Sequence, residues 1–233
     1  MDDQLVRRLV DLNTQFYNNL AAPFAASRAA PQPGYLQILD CLPMRPLAVL
    51  DVGCGNGRFG RFLREAGLLQ SYTGVDGSSA LLSQINDLEG QFFIRDISLA
   101  NSLDGLSEYD VIACLATLQH IPGQENRQRL LYEMSNHLKP AGHLVLSNWQ
   151  FLHNPRQRRK IRPWSDVGID PLNLEANDYL ISWERGGSGV RYVSFLNEEA
   201  VATMAAEAEL RVVKQFKSDG REGDLNLYTI LAG

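Results

Sequence analysis

Residues 47–60 read Leu-Ala-Val-Leu-Asp-Val-Gly-Cys-Gly-Asn-Gly-Arg-Phe-Gly, and this stretch decides the fold. Leu47, Val49, Leu50 and Val52 form a short apolar, partly β-branched run, the signature of a strand buried on both faces. Gly53, Gly55 and Gly57 follow at once, and then Phe59, Phe62 and Leu63 recur at helical spacing. The unit is strand, tight turn, helix. Glycines let backbone approach a ligand that a Cβ would block. The next helix offers its first N–H groups and its positive dipole end to negative charge.

Gly55, Gly57 and Gly60 also satisfy the G-x-G-x-x-G pattern of a dinucleotide site, and an ordinary strand–turn–helix with an empty loop is a further alternative. Asp51 discriminates between them. It ends the strand two residues before the first glycine, where a carboxylate repels a pyrophosphate and suits a cationic ligand. Asp51-Val-Gly-Cys-Gly-Asn-Gly57 resembles the first motif of the class I S-adenosylmethionine-dependent methyltransferases, whose cofactor carries a sulfonium and an ammonium group. The stretch LKPAGHLVLSNW, residues 138–149, resembles the turn and strand that follow the fourth helix of that family. The resemblance implies S-adenosyl-L-methionine as cofactor, held around Asp51, Gly53, Gly55 and Gly57.

Working outward, Tyr72-Thr-Gly-Val-Asp76 is a second strand ending in an acid, about 20 residues beyond the glycine turn. That is where a doubly wound fold places the carboxylate for ribose hydroxyls. A helix cap is the alternative for Asp76, with Ser78 and Ser79 following. Gln91–Ile94 is the third strand. By resemblance, Asp96 beyond it bonds the adenine amino group and the backbone of Ile97 a ring nitrogen, a plain turn being the alternative. Gly77 and Leu115 complete the implied cofactor contacts. Tyr109–Cys114, His143–Trp149, Arg211–Phe216 and Leu225–Leu231 supply the remaining strands, and helices are expected over 58–66, 125–138 and, capped by Asn197, around Val201–Ala208. The fold class is α/β: a Rossmann-like, seven-stranded, mostly parallel sheet with helices on both faces, an N-terminal helical cap and an insertion after the fifth strand.

Leu5, Leu9, Leu12 and Phe16 recur at four, three and four residues and predict an amphipathic helix, with a second helix from about Tyr35 to Leu42. These helices occupy residues 1–44 of a single domain spanning 1–233. By resemblance they cover the cofactor, with Tyr17 or Arg28 at its methionine end; surface or packing roles are the alternatives. Residues 150–192 lack strong periodicity and read as an insertion or lid over the active-site edge.

Net charge is −5, so no overall field draws the chain to nucleic acid or membrane, and such a partner must meet a local patch. No apolar run is long enough to span a bilayer and Met1–Gln15 has no signal-peptide pattern. Cys41, Cys54 and Cys114 have neither metal-ligand spacing nor an even count for disulfides. A cytoplasmic protein without a metal is the expectation.

For the methyl acceptor, His120 in the loop after the fourth strand is a candidate base, and equally a positioning group or pocket wall. Arg191-Tyr-Val-Ser-Phe195, Asp219–Tyr228 and Pro163-Trp164 resemble regions of the tRNA wobble-uridine carboxymethyl methyltransferases, which esterify a carboxylate. That resemblance implies an arginine grip on the acceptor, Arg191 first and Arg221 second, with Trp149, Trp164 and Tyr192 as further substrate contacts. It also makes the basic run Arg156–Arg162 a phosphate contact and a small zinc-binding protein a partner. This chain has Gln119-His120 where the family often has two histidines. A small-molecule O- or N-methyltransferase with His120 as base, and a cofactor-binding protein without catalysis, are the alternatives.

Overall fold

The computed structural model describes residues 1–28 and 30–233. Among these residues ten strands form in chain order: β1 (Leu47–Val52), β2 (Leu69–Asp76), β3 (Gln91–Ile94), β4 (Tyr109–Leu115), β5 (Leu138–Trp149), β6 (Ile161–Arg162), β7 (Asp178–Trp183), β8 (Gly189–Ser194), β9 (Arg211–Ser218) and β10 (Asn226–Ala232). Seven of them build the main sheet in the order β3-β2-β1-β4-β5-β10-β9. β1 sits between β2 and β4 and runs parallel to both, while β10 runs antiparallel to β5 and β9. The order reverses between β1 and β4, so a crevice opens at the carboxyl ends of β1, β2 and β4. Asp51, Asp76 and Leu115 stand at or beside those ends.

Helices cover both faces. Leu50, Val52, Ile112 and Leu144 face a layer holding Leu130, Met134, Val201 and Met204, from α6 (Gln124–Asn136) and α8 (Glu198–Glu207). Val49, Val111 and Val145 pack on the other side against Ile38, Phe59 and Leu63, from α3 (Gly34–Leu39) and α4 (Arg58–Glu65). Asn197 caps α8 by accepting from the Ala200 N–H. At the opposite end of the strands Asp110 accepts from Ala48 N–H and pairs with Arg45 at 2.8 Å and Lys139 at 3.1 Å. Burial would raise this carboxyl, but those three donors outweigh it and hold it down at about 2.

The N-terminal reading needs two refinements. α1 (Asp3–Asn19) forms as the periodicity predicts, but Asn13, not Leu12, completes its buried set with Leu5, Leu9 and Phe16. A short helix α2 (Ala21–Ala26) follows, which the alanine-rich sequence around Pro23 gave no periodicity to reveal.

The insertion is the main correction. Far from lacking regular structure, it folds as a three-stranded antiparallel sheet, β6-β7-β8, preceded by one helical turn, α7 (Pro155–Arg158). β7 and β8 make a hairpin from Asp178↔Ser194 to Trp183↔Gly189, two residues beyond the expected end at Tyr192. Gly186-Gly-Ser-Gly189 therefore closes a hairpin. Gly189 lets that hairpin approach α1, since a Cβ there would stand 2.9 Å from the Phe16 ring. The Asp219–Tyr228 stretch is likewise structural. Asp219 accepts from Gly34 N–H, Asn226 Nδ2 and the Tyr228 hydroxyl, tying the β9–β10 turn to the start of α3.

Candidate active site

The crevice holds a cavity of about 440 Å³, roofed by α1 and the segment carrying Phe24 and Arg28. On its floor, Gly53 has φ +75, and a Cβ there would meet the Thr117 side chain at 2.2 Å. At Gly55, by contrast, the nearest neighbour of an added Cβ is Leu81 at 4.0 Å, so that backbone is open to a ligand.

Three carboxylates line this end. Asp51 is 3% exposed and accepts from the Tyr72 hydroxyl at 2.7 Å. Burial pushes it up to about 7, helped by neighbouring Asp76 and opposed by the Tyr72 hydrogen bond. Asp76 accepts from Gly55 N–H through Oδ2 and Ser78 N–H through Oδ1, both at 2.8 Å. One lone pair on each oxygen is left for a ligand hydroxyl. The cap of the short helix α5 (Ser79–Leu82) is Ser78, so the helix-cap alternative for Asp76 falls. Asp96 makes a turn by accepting from Ser78's counterpart further on, Ser98, through Oδ1, and together with Ile97 it also lines the cavity. Gly77, Leu115 and Trp149 line it as well.

The other end is cationic. Arg28 lies 3.7 Å over the Phe24 ring and makes no ion pair among the described residues. Burial, then the charges of Arg191 and Arg58, push it down to about 9. Arg191 enters from β8, opposite Ile181 of β7, and is 3% exposed. Its guanidinium is ringed by Trp149 at 4.3 Å, Phe16 at 4.8 Å, Trp183 at 5.5 Å and Tyr17 at 5.8 Å. Nη1 donates to the Tyr17 hydroxyl at 3.1 Å, while the buried Nε has no partner among the described residues. Burial lowers the pKa of this arginine too, the Tyr17 contact opposing. A buried, unpaired cation is costly, and an anionic ligand relieves that cost.

His120 joins the two ends. Its Nδ1 lies 2.9 Å from the Tyr192 carbonyl and its Nε2 2.9 Å from the Tyr17 hydroxyl. The carbonyl can only accept, so Nδ1 carries the proton and Nε2 accepts from Tyr17. Burial, reinforced by Arg191 and opposed by the Tyr192 carbonyl, pushes this histidine down to about 3. It is neutral at physiological pH, with its free lone pair engaged.

Several expected substrate contacts lie elsewhere. The Tyr192 side chain is fully buried, donating to Asp178 at 2.7 Å and accepting from Arg127, so only its backbone reaches the site. Trp164 packs with Leu5, Leu9, Ile169 and Tyr192 under the insertion. Arg221 is exposed in the β9–β10 turn, outside the cavity lining. Arg191 itself stands behind Tyr17 and Trp149 rather than on the cavity wall. Gln119, where the related family often has histidine, is buried and accepts from Trp149 N–H, fixing the end of β5. Missed were Asn13, Phe16 and Trp183. A polar Asn13 four residues beyond Leu9 on an apolar stripe was the available signal: its side chain bonds both backbone groups of Tyr192 and the His120 carbonyl. Nothing local marks Trp183.

The sequence model of a family described as a methyltransferase domain matches residues 26–215. The chain belongs to that family. A protein of Encephalitozoon cuniculi whose name carries the word methyltransferase is 25% identical over 199 residues, 85% of this chain and 87% of that one. The tRNA (carboxymethyluridine(34)-5-O)-methyltransferase of Arabidopsis thaliana is 28% identical over 136 residues, 57% of this chain but 31% of that protein. A ubiquinone biosynthesis O-methyltransferase of Pseudomonas savastanoi is 36% identical over 106 residues, 42% of this chain and 43% of that one. Among solved structures, the 1,6-didemethyltoxoflavin-N1-methyltransferase of Burkholderia thailandensis superposes with a TM-score of 0.66 at 17% identity, covering 99% of this chain and 90% of that one. The DhpI-SAM-HEP complex gives 0.65 at 16% identity, covering 97% and 98%. At those identities the structures show the shared fold. No helix among the described residues is long and apolar enough to cross a membrane.

Proposed function

We propose that this methyltransferase uses S-adenosylmethionine to esterify a carboxylate, and that the carboxylate is carried on tRNA, as on a carboxymethylated wobble uridine. The cavity fits that cofactor chemically: buried Asp51 suits a cationic group, Asp76 keeps lone pairs for hydroxyl groups, and Gly55 leaves backbone open. Arg28 would hold the cofactor's carboxylate. When bound, S-adenosylmethionine supplies an activated methyl group, so the chain's task is alignment, a contribution of roughly 7–11 kcal/mol.

The observation that carries the acceptor reading is Arg191. It is a buried guanidinium with an unpartnered Nε and, among the described residues, no carboxylate that pairs with it. A carboxylate acceptor brings its own charge and lone pair and carries no proton to remove. His120 fits this chemistry, because a histidine pushed down to about 3 is a poor general base at neutral pH. That argues against a hydroxyl or amine acceptor relying on it.

Two observations support RNA as the carrier. The similarity to the Arabidopsis tRNA enzyme extends over 57% of the chain, against 42% for the ubiquinone enzyme. Lys160 of the insertion is half-buried, and burial followed by the charges of Arg191, Arg156 and Arg185 lowers its pKa. Arg156 and Arg185 thus add positive charge near Lys160 and Arg191, with Glu184 opposing it, on a chain of net charge −5. The test is transfer of radiolabelled methyl into total tRNA, mildly saponified to free its carboxylates, against transfer into a small-molecule extract. Label in the saponified tRNA alone is expected; label confined to the extract overturns the RNA reading.

A further inference from the structure

Three segments far apart in sequence meet at one phenol. Tyr17 comes from α1, His120 from the loop after β4, and Arg191 from the hairpin of the insertion. The Tyr17 hydroxyl donates to His120 Nε2 at 2.9 Å and accepts from Arg191 Nη1 at 3.1 Å. Its single proton is therefore committed to the histidine. Around this node the ring is held edge-on by Phe16 and Phe24, each with its centroid 5.1 Å away, and by His120 at 5.6 Å. Four residues earlier on the same helix face, Asn13 pins α1 to both backbone groups of Tyr192, the residue next to Arg191. The ring and the helix behind it are fixed before any acceptor arrives.

The consequence for Arg191 is geometric. A guanidinium offers two pairs of parallel donors that include Nη2: one shared with Nη1, the other with Nε. Tyr17 takes one of the two Nη1 hydrogens, and Nε has no partner among the described residues. The Nε–Nη2 edge is a pair that no hydrogen bond among the described residues engages, and it suits a two-oxygen acceptor. We propose that Tyr17 is a positioning residue for the methyl acceptor: it anchors Arg191 so that this edge meets the acceptor, it occupies the lone pair of His120, and it does not serve the cofactor. The idea rests on the carboxylate reading for the identity of the acceptor, not for the arrangement of the three side chains. It also makes docking of α1 a condition for an ordered acceptor grip, because the anchor travels with that helix.

Tyr17→Phe deletes both hydrogen bonds and keeps the ring. With saponified total tRNA as the probe, the acceptor KM should rise roughly tenfold or more. Cofactor Kd by calorimetry should stay within twofold and kcat within about threefold. A weakened cofactor Kd with an unchanged acceptor KM overturns the proposal, and so does a variant matching the parent in both. If the parent chain labels a different acceptor, the carboxylate reading fails, and the same split measured on that acceptor still decides the role of Tyr17. Nitrogen-15 NMR of the unliganded chain needs no acceptor at all. The His120 Nε2 signal should move to the value of an unbonded imidazole nitrogen in Tyr17→Phe, and the Arg191 Nε–H should exchange faster; unchanged signals overturn the proposal.

Discussion

The two ends of the cavity carry opposite charge and have different origins. The floor is anionic: Asp51, Asp76 and Asp96 project from or just beyond β1, β2 and β3, neighbouring strands in a regular sheet. The roof end is cationic: Arg28, on the cavity wall, follows α2, while Arg191, set behind Tyr17 and Trp149, and its aromatic ring of Phe16, Tyr17, Trp149 and Trp183 come from four separate elements. Each floor carboxylate lies at or just past the end of a strand that the sequence announces by its apolar run. The cationic end exists only after α1, β5, β7 and β8 have packed together. Charge sign thus sorts the ligand ends, a cationic group toward the floor and anionic groups toward the roof.

The largest effect should come from breaking the cationic end. Arg191→Gln is expected to lower kcat/KM for saponified tRNA by roughly 10²–10³-fold, the loss of a desolvated charge-assisted pair worth about 3–4 kcal/mol. Cofactor Kd should be unchanged, which calorimetry checks. Next comes the anionic end. Asp76→Ala should weaken the cofactor by roughly tenfold or more, without moving the acceptor KM once cofactor is saturating.

Asp51 sharpens the contrast through pH. Its folded-state value of about 7 lies above the ordinary carboxylate value, so the folded chain holds a proton that the unfolded chain has released. Stability of the unliganded protein should fall as pH rises between about 4 and 7. A cationic ligand favours the ionised form, so cofactor affinity should climb over the same window and level off above 7. Calorimetric titrations of the parent and of Asp51→Asn, which should flatten the dependence, check both signs.

Away from the cavity, Asp110→Asn should cost on the order of 1 kcal/mol in chemical denaturation, since Arg45 is half exposed and its pairing is screened. The carboxyl is held down at about 2, so its contribution is present above about pH 4 and lost as pH falls toward 2. Smallest of all, His120→Gln should keep kcat within about threefold. The parent's pH–rate profile should show no break near 6.5 from this residue, whose value is about 3.

The same division explains what could be read from the sequence. β1, the glycine turn and α4 form a contiguous run whose acid, glycines and apolar spacing are each local, so Asp51, Gly53 and Gly55 were legible. So was the mostly parallel sheet, because strands that alternate with helices imply it. β7 was not: Asp178 opens it, and half-buried Ser182 and Trp183 close it, which hides alternation. Trp164 reads as a substrate contact, but its ring packs with nearby Ile169 over Leu5 and Leu9, which lie more than 150 residues away in sequence. Tyr192 failed for a related reason: a buried Asp178 and Arg127 claim its hydroxyl. The role of His120 could not be read from its position, since the Tyr17 hydroxyl that occupies it arrives from more than 100 residues away.

The most direct test of the central claim, an anion-gripping acceptor site served by Arg191, is the chemical nature of the bond that forms. Tritiated methyl transferred by the parent chain should leave the product as volatile methanol under mild alkali, the behaviour of a carboxylate ester, and Arg191→Gln should abolish that volatile fraction. Label that resists alkali, as on a ring nitrogen or an ether oxygen, would contradict the account.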